Sequence, residues 1–383
     1  MIPYGRQDIT QADVDAVSEV LRSDFITQGP TIPRFERAVA SRVGATHAVA
    51  VNSATSALHV ACAALELGPG DILWTVPNTF VASANCGRYC GADVDFVDID
   101  PFTWNLSVPA LKQKLIEARR VERLPTVVVP VHFGGQPTDQ EEIWDLAQQY
   151  GFRVVEDASH SVGASRNGEP AGSCRWSDIA VFSFHPVKIV TTAEGGVALT
   201  NDGELAARMR MLRTHGVTRD PVRLRFPGQG AWYYEQQLLG FNYRMTDIHA
   251  ALGISQLERL GAYVERRNVL ARRYDEALAA LPLRLPGVRA ENRSAFHLYV
   301  IRLKDATAAR HRRVFEELRR QGIGVNLHYL PVHLQPYYRA LGFHEGLCPE
   351  AEAYAESAIT LPLYPRLTEE QQDAVIAALG KTL

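Results

Sequence analysis

From Ala48 onward, short apolar β-rich runs alternate with helical stretches: AVAVN before a helix, DILWTV before NTFVASANCGRYCG, DVDFVDI before SVPALKQKLIEARR, TVVVPV before DQEEIWDLAQQYG, and then RVVED. Such alternation predicts an α/β fold, a mostly parallel central sheet flanked by helices. Two further strands, DIAVFSF and GGVALT, flank the segment HPVKIVTTAE. Upstream, Val14, Val17 and Leu21 keep helical spacing after the capping pair Thr10 and Asp13, so an opening helix is expected. Downstream come a helix near Leu205, a Pro/Gly-rich stretch from Arg219 to Gly230, and one long helix from about Thr246 to Leu281.

A chain of 383 residues has room for one large core and a smaller one. After Pro282 the texture changes to FHLYVIRL, a helix through Phe315 and Leu318, VNLHYL, and a closing helix after Thr368. This strand-helix-strand-helix order predicts a small C-terminal α/β domain at 282–383, after an N-terminal segment and large domain at 1–281. A net charge of -3 supplies no field for polyanions, which argues against nucleic acid. Cys62, Cys86, Cys90, Cys174 and Cys348 show no CxxC spacing, so no metal site is expected, and reduced thiols suit the cytoplasm. The start MIPYGRQDIT has neither a signal peptide's apolar core nor an anchor's. Ala48 to Leu65 lacks charge, but Asn52, Ser53, Thr55, Ser56 and His59 argue against a membrane span.

Three local features together suggest chemistry. RVVED ends in Glu156 and Asp157, and Lys188 follows the strand DIAVFSF; strand C-termini in α/β sheets open onto the ligand crevice. Alone, Asp157 reads as a helix cap and Lys188 as a solvated surface group. Yet Lys188 is followed by Thr191, Thr192, Gly195 and Gly196, a composition that suits a loop pressed against a ligand, where a lysine loses water and becomes nucleophilic. The run Asn52-Ser-Ala-Thr-Ser-Ala57 opens a helix, where free N–H groups and hydroxyls can hold a phosphate, or simply cap the helix. An anion site, a carboxylate and a lysine are the parts needed to hold pyridoxal phosphate.

With VNSATSALH, PNTFVASAN, VEDASHSVGA, FSFHPVKIVTTAEGG and GFNYRMTDIHAALG, the chain resembles the DegT/DnrJ/EryC1/StrS sugar aminotransferases, pyridoxal-phosphate enzymes of fold type I. SDFITQGP, VKIVTTAEGG and HYLP look most like the members that serve pseudaminic acid biosynthesis. The resemblance implies that Lys188 carries the cofactor as a Schiff base and shuttles protons, while Asp157 keeps the pyridine nitrogen protonated. It further implies that Phe80 stacks on the ring and that Ala54, Thr55 and Ser183 hold the phosphate. Asn242 would reach in from the partner of a homodimer with shared active sites, and His160 would contact the cofactor's hydroxyl face. Tyr4, Thr27, Gln28, Gly29, Pro30, Ser56, His328 and Tyr329 are candidates for the UDP-sugar or the neighbouring cofactor face. Thr27 to Pro30 also suits a plain turn, and His185 a packing role. Arg219, Arg223 and Arg225 suit a diphosphate or simple solvation. The implied reaction moves an amino group from glutamate, released as 2-oxoglutarate, to a UDP-linked 4-keto-6-deoxy hexose. Related sugar dehydratases replace the cofactor lysine with histidine, so Lys188 favours transamination. A nicotinamide dehydrogenase lacks support, because no G-x-G-x-x-G follows an early strand.

Overall fold

A computed structural model describes residues 1–383. Helix α1 (Gln11–Leu21) opens on the expected capping box, the Asp13 carboxylate accepting the Thr10 N–H at 2.8 Å. Helix α2 (Thr31–Val43) ends on Gly44, whose φ of 78° is the left-handed stop that glycine adopts most easily.

The predicted alternation then unfolds in order: β1 (His47–Val51), α3 (Ala54–Ala64), β2 (Ile72–Thr75), α4 (Ala82–Tyr89), β3 (Asp93–Phe96), α5 (Val108–Arg120), β4 (Val127–Val129), α6 (Gln140–Tyr150) and β5 (Arg153–Asp157). With β6 (Ile179–Ser183) and β7 (Gly196–Thr200) they form a seven-stranded sheet in the order β1-β7-β6-β5-β4-β2-β3. Strands β2 to β6 pair in parallel, whereas β7 runs antiparallel to both β6 and β1. The β6–β7 connection contains no helix, and a parallel pairing would need a crossover. Both faces of the sheet are buried. Along β6, Ile179 and Val181 join one apolar cluster and Ala180 and Phe182 the other, the period-two alternation of a strand between two helical layers.

After α7 (Gly203–Leu212) the expected single helix is two: α8 (Asp247–Glu258) and α9 (Leu260–Leu278). The break falls at Arg259, whose guanidinium reaches back to the buried Asp13 carboxylate at 2.6 Å. Helix α9 passes from one core to another: Tyr263 and Val264 pack in the second cluster, and Leu270, Tyr274 and Leu278 in a third. That third cluster covers a small antiparallel sheet of β8 (Leu283–Arg284), β9 (Tyr299–Leu303) and β10 (Ala358–Leu361), backed by α10 (Ala308–Arg320) and α11 (Glu369–Thr382). VNLHYL, read above as a strand, forms none. It touches the sheet through one bridge, Asn326 to Thr360, and its side chains turn inward, so β10 takes the position expected for it. No helix is long and apolar enough to cross a membrane, and all five cysteines are free thiols.

Candidate active site

The C-terminal ends of β5 and β6, the start of α3 and the VNLHYL segment converge on one cavity of about 450 Å³. It is lined by Tyr4, Ala54, Thr55, Phe80, Asp157, His160, Ser183, His185, Lys188, His328 and Tyr329. A larger depression of about 650 Å³ lies on the outer face of α10 among Arg312, Arg313 and Glu316. It is a groove between solvated side chains, and the chemistry sits in the smaller cavity.

At the start of α3, the Ser53 hydroxyl accepts the Ser56 N–H at 3.1 Å. The N–H groups of Ala54 and Thr55 have no partner within the helix and stand at its positive end, a ready anion site. Gly196 allows this loop to lie against β7. A Cβ there would come within 2.5 Å of the Ser53 carbonyl and 2.6 Å of the Ala54 nitrogen. Ser56 lies outside the cavity, its hydroxyl donating to Asn52 Oδ1 at 2.7 Å.

Asp157 is 5% exposed and accepts from Ser83 Oγ on Oδ2 at 2.6 Å and from the Ser159 N–H on Oδ1 at 3.1 Å. The Lys188 amine shares the cavity and has no hydrogen-bond or ion-pair partner. Withdrawal from water pushes its amine down to about 8, and the Asp157 charge pulls the other way. Glu156, the other carboxylate of RVVED, points away from the cavity as strand alternation requires. It lies 3.4 Å from His132 in full burial, which pushes Glu156 up to about 7 and His132 down to about 3.

Besides the exposed His185, three buried histidines border the cavity. His160 Nε2 lies 3.2 Å from the Tyr329 hydroxyl, and its ring centroid is 4.4 Å from that of His297. His328 Nδ1 lies 2.8 Å from Thr360 Oγ1, and its ring packs 5.2 Å from that of Tyr4. Burial, reinforced by the charge of Lys188, holds all three imidazoles well below the ordinary histidine value, His328 at about 3. Phe80 is 59% exposed at the rim, its ring 6.3 Å from that of Tyr329.

Thr27, Gln28, Gly29, Pro30 and Asn242 lie outside this cavity. Thr27 bridges to Thr246, and the Gly29 N–H donates to Asp247 Oδ2 at 2.7 Å. Gln28 and Gly29 border a separate depression of about 230 Å³ with Arg213 and Arg244, and Asn242 is exposed. Arg223 pairs with Glu204 at 3.0 Å and Arg219 packs over Tyr234; neither reaches the cavity, and Arg225 also lies outside it. Thr79, Ser159 and His297, which no motif singled out, also line the cavity, and Ser83 lies buried behind it against Asp157. The spacing of Thr79 and Ser83 in PNTFVASAN, one helical turn apart, was the available signal.

The profile of the DegT/DnrJ/EryC1/StrS aminotransferase family matches residues 7–380. The chain belongs to that family. SpsC of Bacillus subtilis, a spore coat polysaccharide biosynthesis protein, is 38% identical over 99% of this chain and 96% of its own. Spr1654 of Streptococcus pneumoniae, described as a sugar aminotransferase, superposes at TM-score 0.91 with 31% identity in its apo form, covering 100% of this chain and 97% of its own; it is also solved in PLP and PMP forms. PseC of Helicobacter pylori, an aminotransferase of pseudaminic acid biosynthesis, superposes at TM-score 0.91 with 28% identity, covering 100% and 98%. This family member is therefore a pyridoxal-phosphate-dependent sugar aminotransferase of fold type I. The cavity fits the cofactor: unpartnered N–H groups for its phosphate, a buried carboxylate for its ring nitrogen, and an unpaired amine for its aldehyde.

Proposed function

We propose that this aminotransferase moves an amino group from glutamate to a UDP-linked 4-keto-6-deoxy hexose, UDP-2-acetamido-2,6-dideoxy-β-L-arabino-hexos-4-ulose. The observation that carries the catalytic assignment is the unpaired Lys188 amine, pushed down to about 8 in the cavity that holds Asp157 and the start of α3. Likeness to PseC supports the substrate class.

When bound, pyridoxal phosphate supplies an electron sink for breaking and making C–H bonds at the carbon that carries nitrogen. Lys188 would hold it through its amine, and Nζ is the group in the cavity that would move the proton between the donor or acceptor carbon and the cofactor. Asp157 would keep its ring nitrogen protonated, and Phe80 and His160, which line the same cavity, would contact the ring. The Ala54 and Thr55 N–H groups and the Ser183 hydroxyl hold the phosphate. Tyr4, His328 and Tyr329 border the space for the sugar, and remote contacts to the nucleotide position its keto carbon. Asn242, outside its own chain's cavity, would reach into that of the partner subunit in a homodimer. Five free thiols suit a reducing compartment such as the cytoplasm.

The test is to incubate purified, cofactor-loaded protein with glutamate and a panel of nucleotide-linked keto-sugars, measuring 2-oxoglutarate and the amino-sugar. The 4-amino product from the UDP-linked 4-ketone, lost in Lys188→Ala, is the expected outcome. Turnover of a 3-ketone or a differently linked nucleotide in its place would overturn the substrate assignment. Loss of water from the sugar without amino transfer would support a dehydratase.

A further inference from the structure

The turn before α4 and the first turn of that helix carry two buried hydroxyls four residues apart, Thr79 at 3% and Ser83 at 0% exposure. Ser83 Oγ lies 2.6 Å from Asp157 Oδ2 and 2.7 Å from Thr79 Oγ1. An ionised carboxylate only accepts, and a hydroxyl has one proton to give. Ser83 therefore commits its proton to Asp157, and Thr79 must donate to Ser83. The competing acceptor, the Phe80 carbonyl, stands 3.4 Å from Ser83 Oγ, too far to draw that proton away. The direction is fixed as Thr79 to Ser83 to Asp157, and the same turn presents Phe80 at the cavity rim.

We propose that Ser83, backed by Thr79, is a positioning residue for transamination: it orients the charged Asp157 carboxylate and ties it to the turn that carries Phe80. The proposal rests on the reading of Asp157 as the partner of the cofactor's ring nitrogen. A hydroxyl donating to a carboxylate at this distance is among the stronger protein hydrogen bonds. Its loss makes Asp157 a better competitor for the ring-nitrogen proton and frees the carboxylate to turn. Withdrawal of electrons into the ring then weakens, whichever sugar is bound.

The experiment uses full-length protein loaded with pyridoxal phosphate labelled with ¹⁵N in the ring, as wild type, Ser83→Ala, Ser83→Thr, Thr79→Val and Asp157→Asn. Cofactor dissociation, the ring-nitrogen resonance and the single-turnover half-reaction with glutamate are measured. Ser83→Ala is expected to slow the half-reaction on the order of 10- to 100-fold, the scale of one hydrogen bond to a charged group. Apparent glutamate affinity should stay within about twofold, because the loss falls on the barrier rather than on ground-state binding. The resonance should move toward the unprotonated position, Ser83→Thr should restore rate and resonance, and Thr79→Val should fall between. Wild-type rate and resonance in Ser83→Ala, with collapse of both in Asp157→Asn, would overturn the relay and leave the Asp157 assignment standing. Wild-type behaviour in Asp157→Asn would instead remove the reading beneath it. Should Ser83→Ala not fold, a Thr79→Val protein indistinguishable from wild type overturns the relay.

Discussion

Replacing Lys188 with methionine measures how strongly the site disfavours a charge on that lysine before the cofactor arrives. An ordinary lysine titrates at 10.5 and this one at about 8. At roughly 1.4 kcal/mol per pH unit, that gap corresponds to about 3 kcal/mol of stability held back at neutral pH. Lys188 keeps partial contact with solvent, and screening lowers the expected figure to about 2–3 kcal/mol. The sign follows from proton counting. Between about pH 8 and 10.5 the unfolded chain binds a proton that the folded chain does not, so folded stability rises with pH across that window. Urea unfolding of cofactor-free wild type and Lys188→Met, at one protein concentration from pH 7 to 10.5, isolates the lysine as the difference between the two curves. Wild type should gain about 2–3 kcal/mol on the variant, all of it above about pH 8. A difference that stays flat or narrows would refute the argument that burial suppresses this charge. The chemical counterpart is reactivity: at pH 7 roughly one amine in ten is neutral here, against about one in 3,000 for an ordinary lysine.

Gly196→Ala forces a Cβ into the Ser53 carbonyl and the Ala54 nitrogen, so the start of α3 must shift. Cofactor retention, followed by the yellow band after gel filtration, should fall on the order of 100-fold, equal to ~3 kcal/mol, the upper scale of overpacking a rigid contact. Phe80→Ala removes a side chain already 59% exposed, so unfolding free energy should stay within about 0.5 kcal/mol of wild type. Its cofactor dissociation constant should rise about 3- to 10-fold, the value of one aromatic stack. Asp13→Asn strikes a buried carboxylate that accepts from Arg259, Ser255 and Gln256. Burial pushes its carboxyl up, yet the Arg259 and Ser255 hydrogen bonds outweigh that and hold it below the ordinary value. The variant should lose about 3–5 kcal/mol near pH 7. Because the folded carboxyl titrates lower than the unfolded one, this advantage is complete above about pH 4 and should vanish as acid protonates the folded Asp13. An unchanged gap at pH 3 would count against the ion pair.

Much of the architecture was readable along the chain. Strands β1 to β6 and the helices between them announce themselves through apolar runs and 3.6-residue spacing, properties that neighbours in sequence settle. The Thr10–Asp13 cap was legible for the same reason. The parts of the site were also visible: Asp157 closing one strand, Lys188 after another, and hydroxyl residues opening α3.

Tertiary packing decided what those parts face. An apolar strand reads alike in either direction, so only the helix-free connection from β6 shows why β7 runs antiparallel. The Thr246–Leu281 stretch keeps helical residues throughout, and the break at Arg259 accompanies contact with Asp13, 246 positions away. VNLHYL has strand-forming residues, but the space beside β9 belongs to β10, and His328 and Tyr329 point into the cavity instead. Ser83 meets Asp157 across 74 residues and Tyr329 meets His160 across 169. Sequence on its own determined the fold class and the chemical parts, because propensity and patterning are local. The pairing of those parts required the structure, because a buried polar group's partner is whatever packing brings within hydrogen-bonding distance, at any separation along the chain.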